Sequence, residues 1–202
     1  MLVAVVNTKG GVGKTTTAVH LAAVLNAHAP TLLLDCDPHG SATAWLDQAD
    51  SELDYAPFAQ LGLAKAISNG IAEDYRFVVV DTPPNDVAMT QDAITAADLV
   101  VVPTAPSLLD IDRLAATQVI IENLRTIKDV PARVVLTAVD GRTVDEREAR
   151  AGLNRVGYEL TDTTIAMSAD VRRGFGEDVN PATSPYRPLA TELLAVLERE
   201  AS

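Results

Sequence analysis

Two lysines, Lys9 and Lys14, flank three glycines and a valine in the stretch KGGVGKTT. Glycines this dense, Gly10, Gly11 and Gly13, let backbone N–H groups close around an anion without interference from Cβ atoms. A helix starting directly behind them adds its positive end. Lys14 then reaches the β- and γ-phosphates of a nucleotide, the Thr15 hydroxyl offers a hard oxygen to Mg2+, and Val12 and Thr16 complete the cradle. The general phosphate-loop pattern G-x-x-x-x-G-K-[ST] is met except at its first glycine, where Thr8 stands. Phosphate binding needs only Lys14, so Lys9 is surplus to it.

Carboxylates follow at two places. LLLDCDPHGSAT ends an apolar run in Asp35 and Asp37, and YRFVVVDTPPN ends another in Asp81. A fully apolar strand that delivers one acid after a phosphate loop matches a Walker B aspartate, which holds Mg2+ through water. Pro83 and Pro84 stiffen the turn that follows it.

Apolar runs at Leu2–Val6, Thr31–Leu34, Phe77–Val80, Leu99–Val102 and Arg133–Val139 must position these groups, with weaker runs near Tyr55–Phe58 and Thr163–Met167. Helical patterns lie between them over Lys14–His28, Val87–Ala97, Ile111–Lys128, Val144–Val156 and Leu189–Glu200. Strands apolar throughout, alternating with amphipathic helices, predict a parallel sheet covered on both faces. The fold class is α/β, a doubly wound, mostly parallel sheet flanked by helices. Asp47–Gly62 is expected to be an irregular connection around the short third strand, Gly174–Pro188 a surface loop broken by its prolines, and Trp45 a partial-core or interface residue. Residues 1–202 are expected to form a single phosphate-loop domain. With the first strand and loop starting at residue 2, no helix-turn-helix is expected ahead of them.

The composition is acidic, with formal net charge −12, and its 16 basic residues comprise 12 arginines and 4 lysines. That balance argues against a wholly basic surface for coating nucleic acid but leaves room for a local patch. No stretch of about 18 apolar residues appears, so no membrane span is expected. A single cysteine, Cys36, excludes an intramolecular disulfide and a cysteine-held metal cluster, and fits a cytoplasmic location.

KGGVGKTTTAVHLA resembles the deviant Walker A motif of the ParA/MinD family of ATPases, which includes small partition ATPases without an N-terminal helix-turn-helix. The resemblance implies a P-loop NTPase of the deviant Walker A type, with ATP and Mg2+ as ligands and a homodimer formed on ATP binding. In that family the early lysine, here Lys9, crosses the dimer interface to the phosphates held by the other subunit. LLLDCDPHGSAT looks like the family's D-x-D-P-Q-G-N-A-T segment. It implies that Asp37 orients the attacking water, beside Lys9 and Lys14, and that Asp35 touches the Mg2+ shell through water. His39 departs from the usual glutamine and is either a pH-sensitive switch or a plain surface histidine; Ser41 departs from asparagine. AADLVVVPTAPSLLDIDRL is similar to the strand that leads into the family's interface helix. VVLTAVDGRTVDE occupies the position whose loop approaches the base, which points to Asp140 and Arg142, with a solvated acidic–basic turn as the competing reading.

An ATP-driven dimer needs an output. In a partition ATPase that is nonspecific DNA, for which the adjacent pair Arg172 and Arg173 is the better candidate. Arg147, Arg150 and Arg155 compete with a solvated mixed-charge helix. The partners then expected are a ParB-like or other cargo adaptor and the nucleoid. The alternative is a MinD-like or other cargo-positioning ATPase acting on a protein or membrane without DNA. The tail LATELLAVLEREAS carries acids on its polar face and is expected to pack on the sheet. Biosynthetic ligases with similar loops lack a lysine at the position of Lys9.

Overall fold

The computed structural model describes residues 1–57, 63, 67, 73–140, 145–168, 171 and 173–200. Among them, strands β1 (Leu2–Val5), β2 (Thr31–Asp35), β3 (Asp54–Pro57), β4 (Phe77–Asp81), β5 (Leu99–Thr104) and β6 (Ala132–Leu136) form one sheet in the order β3-β2-β4-β1-β5-β6. All five pairings are parallel. The helices are α1 (Lys14–Asn26), α2 (Ser41–Ala49), α3 (Val87–Ala96), α4 (Leu108–Arg125), α5 (Asp145–Arg155) and α6 (Arg187–Glu200).

The unbroken apolar runs have a direct structural cause. Side chains alternate between faces along a strand, and both faces here are covered. Val3, Val5, Leu33, Val79 and Val101 pack with α1, α2 and α6 through Leu21, Trp45 and Leu193. Their neighbours Ala4, Leu34, Val80 and Val102 pack with α3, α4 and α5 through Ile94, Leu114 and Leu153. The α6 residues Leu189, Leu193, Val196 and Leu197 are buried, so the apolar face of that helix lies on the sheet as expected. Because β1 feeds α1 on one face while β4 feeds α3 on the other, the crevice beyond their carboxyl ends is where a doubly wound sheet receives a ligand.

Several boundaries differ from those the sequence suggests. Helix α2 takes in residues 47–49, the beginning of what looked like an irregular connection; its first turn is held by Asp35, whose Oδ2 accepts from the Thr43 N–H at 2.8 Å and the Thr43 hydroxyl at 2.9 Å. Helix α4 starts three residues earlier than the pattern suggested, because the Ser107 hydroxyl accepts from the Asp110 N–H at 3.2 Å and caps it. The segment near Thr163–Met167 is not a continuous strand: isolated parallel bridges join Leu160 to Val134 in β6 and Ala166 to Val139 beyond its end. Between the bridges the Asp162 and Thr163 N–H groups turn away to the Glu192 carboxylate. Phe58 lies outside the described residues.

His20, in α1, stacks on Tyr186 at 4.7 Å, and its Nδ1 meets the Ser184 hydroxyl at 3.0 Å. Burial lowers its pKa from 6.5 to about 4. The unfolded chain therefore binds a proton first, and the stability this neutral histidine contributes is present above pH 6.5 and lost as pH falls toward 4. The loss is on the order of 2–3 kcal/mol. Urea midpoints at pH 7 and pH 4.5 should converge in His20→Phe relative to the wild type; an identical pH dependence in both proteins would contradict this.

Candidate functional site

The loop between β1 and α1 is fastened on both sides before any ligand arrives. Buried Asn7 accepts the Lys9 N–H on Oδ1 at 2.9 Å and donates from Nδ2 to the Pro103 carbonyl at 2.9 Å. The Thr8 N–H donates to the Thr117 hydroxyl of α4 at 3.1 Å, and the Thr8 carbonyl accepts from the Asn85 N–H at 2.9 Å. Thr137 donates its hydroxyl to the Val12 carbonyl at 2.9 Å. Gly11 and Gly13 have φ of 76° and 88°, a left-handed backbone that a side chain at either position would strain. The result is a fastened glycine turn directly ahead of the first turn of α1, an arrangement suited to phosphate.

Lys14 lies at the bottom of this turn, buried, with its ammonium donating to the Lys9 carbonyl at 2.8 Å. Burial lowers its pKa, while the Asp81 and Asp37 carboxylates oppose that shift. The cation is thus partly balanced by acids and partly starved of solvent, which favours an incoming polyanion.

Asp81 pairs in register with Val5 on one side and Asp35 on the other. It is fully buried, and neither carboxylate oxygen has a hydrogen-bond partner. The Thr15 hydroxyl lies beside it without good hydrogen-bond geometry and still lowers its pKa. Burial dominates, and with the charges of Asp35 and Asp37 it outweighs Thr15 and Lys14, pushing Asp81 up to about 7. Two orphaned carboxylate oxygens in a buried site next to a threonine hydroxyl fit a hydrated divalent cation. Among the described residues no group of three or more His, Cys, Asp or Glu side chains forms a metal cage. That suits Mg2+, which keeps waters and takes its other ligands from phosphates.

Asp35 is placed differently from Asp81. Its Oδ2 is held by Thr43, and its Oδ1 accepts the Asp37 N–H at 3.2 Å, so it anchors α2 and the turn after β2. Asp37 lies in that turn, close enough to Lys14 and Asp81 to influence both. Gly10 packs near Pro84, in the turn that follows the Asp81 strand.

Lys9 turns back onto its own chain. Its ammonium pairs with Asp110 in the first turn of α4, with the two side chains 23% and 10% exposed. The Ser107 hydroxyl donates to the other oxygen of that carboxylate.

A cavity of about 170 Å³ opens beside the loop, lined among others by Thr16, Thr137, Met167, Ser168, Val171 and Tyr186. It has the position and the mixed apolar and hydroxyl lining that suit a nucleotide base. Ala138, at its edge, holds a φ of 52°, uncommon for a residue with a side chain. Asp140 is not among the lining residues, and Arg142 lies outside the described residues. The base-side candidates are therefore Thr137 and the 165–168 segment. The end of the VVLTAVD strand is the only local sequence signal for them.

The arginines separate into groups. Arg150 donates to the Thr161 and Asp162 carbonyls at 2.8 Å each and pairs with Glu146, which commits it to holding the 161–162 turn. Arg147, Arg155 and Arg173 are exposed, and Arg172 lies outside the described residues.

Comparison with known proteins agrees with this geometry. The profile of the CobQ/CobB/MinD/ParA nucleotide binding domain matches residues 3–181. Maintenance of carboxysome distribution protein A of Gloeobacter kilaueensis is 35% identical over 95% of this chain and 93% of its own length. The chromosome-partitioning ATPase Soj of Thermus thermophilus is 28% identical over 96% and 95%. A plasmid partition protein of Borrelia burgdorferi solved with AMPPNP superposes with a TM-score of 0.78 at 16% identity, covering 99% of both chains. The six parallel strands, the loop at the end of β1 and these matches together show that the chain belongs to the ParA/MinD family of P-loop ATPases.

Proposed function

We propose that this protein is a positioning ATPase of the ParA type, a single domain over residues 1–202. Two copies close face to face over two ATP molecules, and slow hydrolysis, stimulated by a ParB-like or other cargo adaptor, resets the cycle. The observation that carries this reading is Lys9. It stands at the rim of a loop that already has its phosphate-binding lysine, and its bond to Asp110 is a partly exposed ion pair. Two ATP tails brought together concentrate far more negative charge than one carboxylate, so Lys9 has reason to leave Asp110 for the partner's phosphates.

Gly10, Gly11, Val12, Gly13, Lys14, Thr15 and Thr16 would cradle the phosphates, with the base beside Thr137 and Met167. Thr15 would hold Mg2+ directly, and Asp81 and Asp35 through water. When bound, Mg2+ neutralises charge on the β- and γ-phosphate oxygens. Asp37 orients a water whose oxygen bonds to the γ-phosphorus as the bond to the bridging oxygen breaks. ADP and phosphate leave, and the released proton passes to phosphate or solvent. Positioning and charge neutralisation carry this chemistry.

The output proposed first is nonspecific DNA, reached through Arg172 and Arg173, which would make the protein a nucleoid-associated, cytoplasmic ATPase. Both relatives are named for positioning, one of carboxysomes and one of chromosomes. Asp37→Ala protein, arrested with ATP, should bind fluorescent duplex DNA at low salt with ATP and fail to bind with ADP or without nucleotide. Arg172→Glu with Arg173→Glu should weaken that binding equally for all sequences and lower its salt slope by about one for each phosphate no longer neutralised. A second reading, in which the dimer acts on a protein cargo without DNA, is favoured by the net charge of −12 and by the commitment of Arg150 to the fold. DNA ignored under every condition would select it. Membrane action has less support, since α6 buries its apolar face on the sheet.

A further inference from the structure

The turn that carries Asp37 also carries His39, a side chain with no part in the cycle described so far. The His39 N–H donates to Asp37 Oδ1 at 2.9 Å, and the His39 ring nitrogen Nδ1 meets the same oxygen at 2.9 Å. A ring nitrogen at that distance from a carboxylate carries the proton, so Nδ1–H is a second donor to Oδ1. No described group bonds Oδ2 of Asp37. The turn is closed by the Gly40 N–H on the Asp37 carbonyl at 2.8 Å, and α2 begins at the next residue. The Asp37 side chain is 10% exposed and His39 is 85% exposed, so Asp37 is the covered end of this pair and the His39 ring faces solvent.

We propose that His39 is a positioning residue for Asp37: its ring and backbone N–H groups fix Oδ1 and leave Oδ2 to accept a hydrogen from the attacking water. This rests on the proposed role of Asp37 in orienting that water. The other charged groups facing Asp37 are Lys14 from α1, Asp81 from β4 and Asp35 from β2. No further charged group among the described residues is bonded to the His39 ring.

The test is single-turnover phosphate release from ATP and Mg2+ at pH 8, with the full chain in excess over nucleotide, beside equilibrium titration of ATP affinity. His39→Ala should release phosphate about fivefold more slowly, the factor equivalent to one hydrogen bond of about 1 kcal/mol, with ATP affinity unchanged. His39→Gln keeps a side-chain donor and should recover most of that loss. A His39→Ala rate equal to the wild type, or a His39→Gln rate no faster than that of His39→Ala, overturns the proposal. Asp37→Ala separates the two levels: if it is inactive while the His39 variants match the wild type, only the role of His39 falls. If it hydrolyses ATP normally, the role of Asp37 falls and takes the proposal with it.

Discussion

Asp81→Asn raises the thermal midpoint of the nucleotide-free protein at pH 8 and removes its response to Mg2+. The sign follows from burial. A carboxyl with a folded pKa of about 7, against 3.8 when unfolded, holds its proton longer in the native state. Stability is therefore highest near pH 4, falls as pH rises toward 7, and carries the whole penalty above it. That penalty is on the order of 2–4 kcal/mol, or about 5–10 °C for a chain of this size. Asparagine keeps the shape, carries no charge to desolvate, and is a poor outer-shell partner for a hydrated cation. His20 acts in the opposite direction over the lower part of the same pH range, so the difference between variant and parent is the quantity to read. Scanning calorimetry at pH 5 and pH 8, with and without ATP and Mg2+, measures it. A destabilised variant at pH 8 would mean that Asp81 is paired in solution and is not waiting for a cation.

Lys9→Ala abolishes the ATP-dependent dimer while ATP binding to the monomer survives within about tenfold, one charged contact of about 1.4 kcal/mol. Lys14, the glycine amides and Thr15 stay in place, so the phosphate cradle persists. Within the chain the substitution removes only the pair with Asp110, whose carboxylate keeps the Ser107 hydroxyl and the positive end of α4. The thermal midpoint should therefore move by no more than about 4 °C, the shift expected for 1 kcal/mol in a chain this long. Equilibrium titration with a fluorescent ATP analogue and light scattering separate the two effects. A collapse of monomer binding would place Lys9 on the phosphates of its own subunit.

The sequence was most legible where one residue type had one physical use. Gly11 and Gly13 have the left-handed backbone that their loop requires, and the strands from Leu2, Phe77 and Leu99 are apolar because both sheet faces are covered. Helix α2 was hidden because SATAWLDQA is short and its first turn is held by Asp35, an acid on a strand and outside the helix. The base-side cavity was hidden for a related reason. Thr137, Met167 and Tyr186 come from three separate segments, joined when the chain from 160 to 167 bridges onto β6. The loop at Asp140 and Arg142 drew attention by its place after a strand, whereas the cavity wall is made by residues just before it. Arg150 illustrates a limit of charge patterning, since its spacing is that of a surface arginine while its guanidinium closes a turn of its own chain.

The ATP-driven dimer is tested most directly by sedimentation velocity of Asp37→Ala protein with Mg2+ and ATP, with Mg2+ and ADP, and without nucleotide. A monomer with ADP or no nucleotide, and a doubled mass with ATP that Lys9→Ala reverses, is the expected result. One mass under all three conditions would contradict the face-to-face dimer and leave Lys9 as a residue that only braces α4.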